Sequence, residues 1–145
     1  MKNLFTAFLS VILISAMLLS TAATSTPPSD NPAKYNNTIS TSTNATISSS
    51  GYLKIDFKYN GISGVTTKGV ITSYVEKRFL GLFWTRVNIG QPNNEWVDTS
   101  YSYTYSGSHT HQLTSTGTYR ITVNYKISGS GGAADSIDYQ VTRTY

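Results

Sequence analysis

The sequence predicts an all-β protein, folded as a two-sheet antiparallel β-sandwich of about seven strands. Three observations carry that prediction. Apolar and polar residues alternate with a period of two in several separate segments, and turn-forming residues recur roughly every 8 to 12 residues between them. The composition also suits strands: the 145 residues include 11 tyrosines, only 12% are charged, and Ser, Thr and Gly are abundant. Aromatic and β-branched residues fit a pleated, half-buried surface, whereas helix formers are scarce here.

The first element is an address rather than part of the fold. Lys2 precedes an apolar run from Leu4 to Leu19, broken only by Thr6, Ser10 and Ser15, and followed by the small residues Ser20, Thr21, Ala22 and Ala23. That order of charged, apolar and small segments is the template of a cleaved secretory signal peptide, here residues 1–23. The apolar run falls short of the roughly 20 residues that span a bilayer. A secreted protein is therefore expected, either extracellular or held at the cell surface. Residues 24–43 are Ser, Thr, Asn and Pro with almost nothing to bury, which predicts a disordered tether. Residues 44–145 are then a single β-sandwich domain. The chain has no cysteine, so its core must hold by packing alone, and lipid attachment through a cysteine at the leader junction is excluded.

Within the domain an opening strand is expected near Asn44 to Ser49. Leu53, Ile55, Phe57 and Tyr59 then alternate with Tyr52, Lys54, Asp56 and Lys58, an apolar inner face against a charged outer one. Asn60-Gly61 suits a tight turn, and Gly64 points to a longer loop. Gly69 to Phe79 and Leu82 to Ile89 read as the two arms of a hairpin, followed by a loop from Gly90 to Asn94. Thr99 to Ser106 reads as a strand with Tyr101, Tyr103 and Tyr105 on one face. In Thr118 to Ile127 the inward residues are Tyr119, Ile121, Val123, Tyr125 and Ile127. A Gly-rich loop from Ser128 to Gly132 leads to a last strand, Ile137 to Tyr145.

The segment Leu113-x-x-x-Gly117-x-Tyr119, followed by alternating Ile121, Val123 and Tyr125, resembles the penultimate strand of immunoglobulin-like domains. In those domains a corner tyrosine ties its hydroxyl to nearby backbone. The chain as a whole is similar to small secreted Gram-positive-type proteins with an immunoglobulin-like sandwich. This resemblance implies a fold and no activity.

Net charge is +4, spread along the chain rather than concentrated in a stripe. Such mild basicity suits an acidic polymer or lipid surface and lacks the footprint of a nucleic-acid binder. His109-x-His111 is the single histidine pair. On a strand their β-carbons lie roughly 6.5 to 7 Å apart on one face, so they are the candidate metal ligands, but no third ligand is nominated nearby. Solvated histidines in a polar turn and strand entry, Gly107 to His111, are the simpler expectation. No cofactor is implied. Asp56, Glu76, Glu95, Asp98, Asp135 and Asp138 supply no evident carboxylate pair, and no glycine pattern singles out a nucleophilic serine, so no catalytic residue is assigned and a non-enzyme is expected.

The distinctive segment is Lys77-Arg78-Phe79-Leu80-Gly81-Leu82-Phe83-Trp84-Thr85-Arg86. A Leu80-Gly81-Leu82 loop sets Phe79 against Phe83, Arg78 against Trp84, Glu76 against Arg86 and Val75 against Val87. A shorter loop would oppose Lys77 and Arg86, which like charges disfavour. The tip leucines then either project, ringed by Lys77, Arg78 and Arg86, or fold under a neighbouring loop to cap the core. With Trp96, which lies in a loop between Glu95 and Asp98, these residues are the candidate binding surface. Three roles fit: a secreted, non-enzymatic binding module for an envelope polymer, carbohydrate or protein; a membrane-active toxin or antimicrobial protein inserting Phe79 to Trp84 into an anionic membrane surface; or a matrix or filament subunit assembling by strand addition through Ile39 to Ile47.

Overall fold

Alternation in the best-patterned segments becomes strand, with the apolar residues turned inward. The structure, a computed structural model, describes residues 35–145; the segment read as a signal peptide and most of the tether lie outside them. Eight strands follow in order: β1 (Thr38–Ile47), β2 (Tyr52–Gly61), β3 (Thr66–Phe79), β4 (Phe83–Arg86), β5 (Trp96–Ser100), β6 (Thr104–Gln112), β7 (Thr118–Gly129) and β8 (Gly132–Thr144). They form two antiparallel sheets. One has the order β1-β2-β6; the other has the order β4-β3-β7-β8, with β5 also paired to β3. Leu53, Ile55, Phe57 and Tyr59 of β2 meet Ile71 and Val75 of β3, and Tyr119, Ile121, Val123, Tyr125 and Ile127 of β7, in one buried core.

Several elements differ from the sequence expectation. Residues 38–43, assigned to the tether, lie in β1. Their Ser/Thr composition suits an edge strand whose partner β2 supplies the large apolar residues. The start of this strand is also held by an acid remote in sequence: Asp135, buried, accepts hydrogen bonds from the backbone N–H groups of Asn36 and Asn37 and from the Thr38 hydroxyl, each at 2.8 Å. The segment Thr99 to Ser106 is not one strand. β5 ends at Ser100 paired to β3, and β6 begins at Thr104 paired to β2, so the chain crosses between sheets at residues 101–103. Tyr101 and Tyr103 sit exposed on that corner, and only Tyr105 turns toward the core. The arm expected to reach Ile89 is short, since β4 stops at Arg86 and residues 88–95 leave the edge of β3 before β5 rejoins it.

Two tyrosine hydroxyls tie the layers together. Tyr59 reaches across the core, its ring against Gly69 where any β-carbon would clash, and donates to the Ser102 carbonyl at 2.7 Å. Tyr125 of β7 donates to the Ser42 carbonyl of β1 at 2.8 Å and meets the Thr43 hydroxyl. Burial pushes the Tyr125 phenol above its ordinary value. A raised folded-state value means that the stabilisation is fully present below the unfolded tyrosine's value of about 10 and is lost as pH climbs from there through the folded value. Stability is therefore expected to fall in alkaline solution above about pH 10, more steeply in the parent than in Tyr125→Phe, as read by denaturant melts across that range. Equal slopes in the two proteins would remove Tyr125 as the cause.

Candidate functional site

The β3–β4 hairpin adopts the register deduced from side-chain pairing: Phe79 opposes Phe83, Arg78 opposes Trp84 and Glu76 opposes Arg86. The Val87 N–H donates to the Val75 carbonyl, which continues the ladder by one residue. At the tip Leu80 and Gly81 both have positive φ, 50° and 69°, and the Leu82 N–H returns to the Phe79 carbonyl at 3.0 Å. A leucine in this region costs about 1–2 kcal/mol that Gly or Asn would avoid. The tip does not cap the core. Leu80 is 75% exposed and Leu82 72%, with Phe79 and Phe83 also open to solvent.

The bases around the tip are not equivalent. The expected Glu76–Arg86 ion pair does not form, although the two residues are cross-strand neighbours. Glu76 is taken from the other side by Arg120 of β7, at 2.7 Å, and Arg86 by Glu95 of the 88–95 excursion, at 3.0 Å. Arg86 also lies 3.4 Å from the centre of the Tyr74 ring. Trp84, half-buried, carries Arg120 at 4.5 Å and Arg78 at 5.9 Å. Trp84 and Arg86 thus belong to a stacked array on the outer face of the larger sheet rather than to the tip itself. The sequence had signalled the Arg78–Trp84 contact; the contributions of Arg120 and Glu95 needed the third strand and the excursion.

The half of the sandwich that bears the tip also carries Lys54, Lys77, Arg78, Arg86, Arg120 and Arg143. Three of these bases are paired, Lys54 with Asp56, Arg86 with Glu95 and Arg120 with Glu76. The Lys54 ammonium, aided by Ser108, holds the Asp56 carboxyl below the usual range. Lys77, Arg78 and Arg143 have no carboxylate partner among the described residues. Lys77 and Arg78 immediately precede the exposed apolar residues.

Trp96 and the histidines occupy a different place, on the open side of the sandwich between β5 and β6. Gly107 to His111, expected as a polar turn and strand entry, lies wholly within β6, where the alternation Ser-Gly-Ser-His-Thr-His keeps period two. His109 is largely buried rather than solvated: its ring stacks on Trp96 at 5.0 Å with the planes 9° apart, and its Nε2 lies 2.7 Å from an Asp98 oxygen. The other Asp98 oxygen accepts from the Tyr105 hydroxyl at 3.1 Å. Burial, followed by the Asp98 charge, raises the Tyr105 phenol. His111 meets Trp96 edge-on at 6.3 Å. Trp96 thus opens β5 and packs inward, where the sequence reading had it in a loop as a binding residue.

This cluster contains the residue types of a hydrolytic triad without the arrangement. Ser73, the one serine of β3, pairs across from Trp96, and its fully buried hydroxyl has no hydrogen-bond partner, His109 included. Nor does any group of three metal-ligating side chains converge among the described residues. The carboxylate of β5 instead holds a histidine and a tyrosine of β6. No protein family model matches the chain, and no curated protein or solved structure is significantly similar to it.

Proposed function

We propose that this protein is a secreted, non-enzymatic binding module with an immunoglobulin-like sandwich, and that its β3–β4 tip docks on an anionic membrane surface. The topology supports the first half. Labelled in chain order, β1-β2-β6 corresponds to strands A-B-E and β4-β3-β7-β8 to C′-C-F-G, as in an immunoglobulin-like Greek key, while β5, which comes where strand D would, pairs with C instead of E. Tyr119, at the start of β7, donates its hydroxyl to the Ser115 carbonyl four residues upstream, which is the expected tyrosine-corner bond. Secretion rests on the leader-like residues 1–23.

The observation that carries the second half is the exposed quartet Phe79, Leu80, Leu82 and Phe83 beside Lys77 and Arg78, two bases that no acid among the described residues neutralises. Leucine side chains have no polar atom to offer a polysaccharide, whose recognition needs hydrogen bonds and flat aromatic platforms. They gain free energy only by leaving water, and basic residues behind them favour an acidic surface. A strained backbone that holds a leucine outward supports the same reading.

Replacing Leu80 and Leu82 together with Ser is expected to leave the melting temperature nearly unchanged, because exposed substitutions typically shift stability by less than about 0.5 kcal/mol. Sedimentation with phosphatidylglycerol vesicles should weaken about a hundredfold, given the transfer free energy of two leucines. Added salt should weaken it further by screening Lys77 and Arg78 over a Debye length of about 8 Å at physiological ionic strength. Undiminished vesicle binding by the double variant, or retention on purified wall polymer in place of vesicles, would sink the membrane reading.

A further inference from the structure

Directly beneath the tip lies a cavity of about 280 Å³, just under the roughly 300–1,000 Å³ typical of small-molecule sites. Its lining includes Lys77, Phe79, Val87, Leu113, Ser115 and Tyr119. Val87 comes from the β3–β4 edge and Leu113 and Ser115 from the β6–β7 loop, while Tyr119 closes it from β7. Leu113 and Tyr119 are buried and form an apolar floor with Val87 and Phe79, while Thr85, Arg86, Asn88 and Thr114 make the rest of the lining polar.

Two cations line the cavity, Arg86, which is paired with Glu95, and Lys77, which has no carboxylate partner among the described residues. The Lys77 Nζ donates to the Ser115 hydroxyl at 2.6 Å and stands 5.7 Å from the centre of the Tyr119 ring. The stem runs over Gly117, whose φ of +148° favours glycine and where a β-carbon would come within 2.8 Å of Lys77 Cε. The ammonium therefore rests against a hydroxyl and a ring face, with donors still free for an anion. Phe79 belongs both to this cavity and to the exposed tip, so the two are continuous.

We propose that this cavity is a headgroup site for an anionic phospholipid, with the phosphate on Lys77 and Ser115 and the glycerol and first acyl carbons along Phe79, Val87 and Leu113. Charge complementarity selects the anion, and the continuity with the tip selects a lipid, since a tip lowered into the headgroup layer brings the mouth of the cavity to the phosphates. The site rests on the reading of the tip as a membrane contact, and it makes a separate demand: binding of a single soluble lipid molecule.

The test uses dihexanoyl phosphatidylglycerol below its micellar concentration, titrated into the labelled protein while backbone amide signals are followed. Saturable shifts are expected at 113–119, weakened about tenfold or more in Lys77→Gln, which loses one charged contact, and largely restored in Lys77→Arg. Lys77→Gln should keep the parent's melting temperature, and a folded Lys77→Gln that binds the soluble lipid as the parent does would overturn the site. Equal shifts and affinity with inorganic phosphate alone would overturn the lipid as its occupant. Vesicle binding that is lost in the Leu80→Ser/Leu82→Ser protein, with no saturable shift from the soluble lipid in the parent, would reject the cavity while leaving the tip in place, and saturable soluble-lipid binding beside undiminished vesicle binding by the double Ser variant would do the reverse, so the two readings fail separately.

Discussion

Asp135→Ala is expected to destabilise the domain by about 3–5 kcal/mol and to release the N-terminal end of β1. The carboxylate is buried and accepts from two backbone N–H groups and one hydroxyl, of Asn36, Asn37 and Thr38. Removing it strands those donors. Asn37 is fully buried, so water cannot replace the lost bond without local opening, and each unsatisfied donor costs about 1–3 kcal/mol. The same corner holds the Asn37 side chain, which donates to the Ala133 carbonyl at 2.9 Å and accepts from the Gly131 N–H at 3.2 Å. Denaturant melts measure the global loss. Limited proteolysis should cut residues 35–38 much faster in the variant than in the parent, whereas an unaltered cleavage pattern would show that β1 is held by its pairing with β2 alone.

Phe57→Ala should cost about 3–5 kcal/mol, because deleting a buried aromatic ring loses its burial and leaves a cavity. The ring has no substitute on its neighbours. It lies directly across from Gly107, where a β-carbon would come within 2.6 Å of Phe57 Cζ, so the glycine contributes nothing to fill the space. It also packs against His109 at 5.0 Å and Tyr105 at 6.3 Å, the two side chains that bind Asp98. With total stabilities of about 5–15 kcal/mol for such domains and no disulfide to limit unfolding, a loss of this size approaches the whole margin. A melt of Phe57→Ala indistinguishable from the parent would mean that β2 presents its other face to the core.

Those two variants also divide what could be read in the chain from what could not. The inward faces of β2 and β7 follow from the sequence alone, since alternation of large apolar with polar residues leaves one face to bury, and a slip of one residue would expose them all. The β3–β4 register was legible for a similar local reason: within one hairpin, cross-strand partners are few residues apart and unlike charges and aromatic pairs select one alignment. Tyr119 belongs here too, because its hydroxyl reaches a carbonyl four residues away.

Contacts between distant segments were decided only by the tertiary structure. The run Thr99 to Ser106 alternates like one strand, and nothing local reveals that the chain changes sheets at residues 101–103; yet that crossing sets Asp98 of β5 against His109 of β6. Residues 38–43 hold one large apolar side chain, the exposed Ile39, too few to mark a strand, and are held as one where Asp135, nearly a hundred positions later, satisfies the backbone that leads into it. The charge state of the tip was likewise a global matter: Arg120 and Glu95 neutralise Glu76 and Arg86, which leaves Lys77 and Arg78 as the uncompensated bases, and the cavity under Phe79 exists only where the β6–β7 loop meets the hairpin. Periodicity and neighbouring charges encode faces and registers along a single strand or hairpin, whereas the partner of a buried polar group depends on which strands the completed sheets bring together.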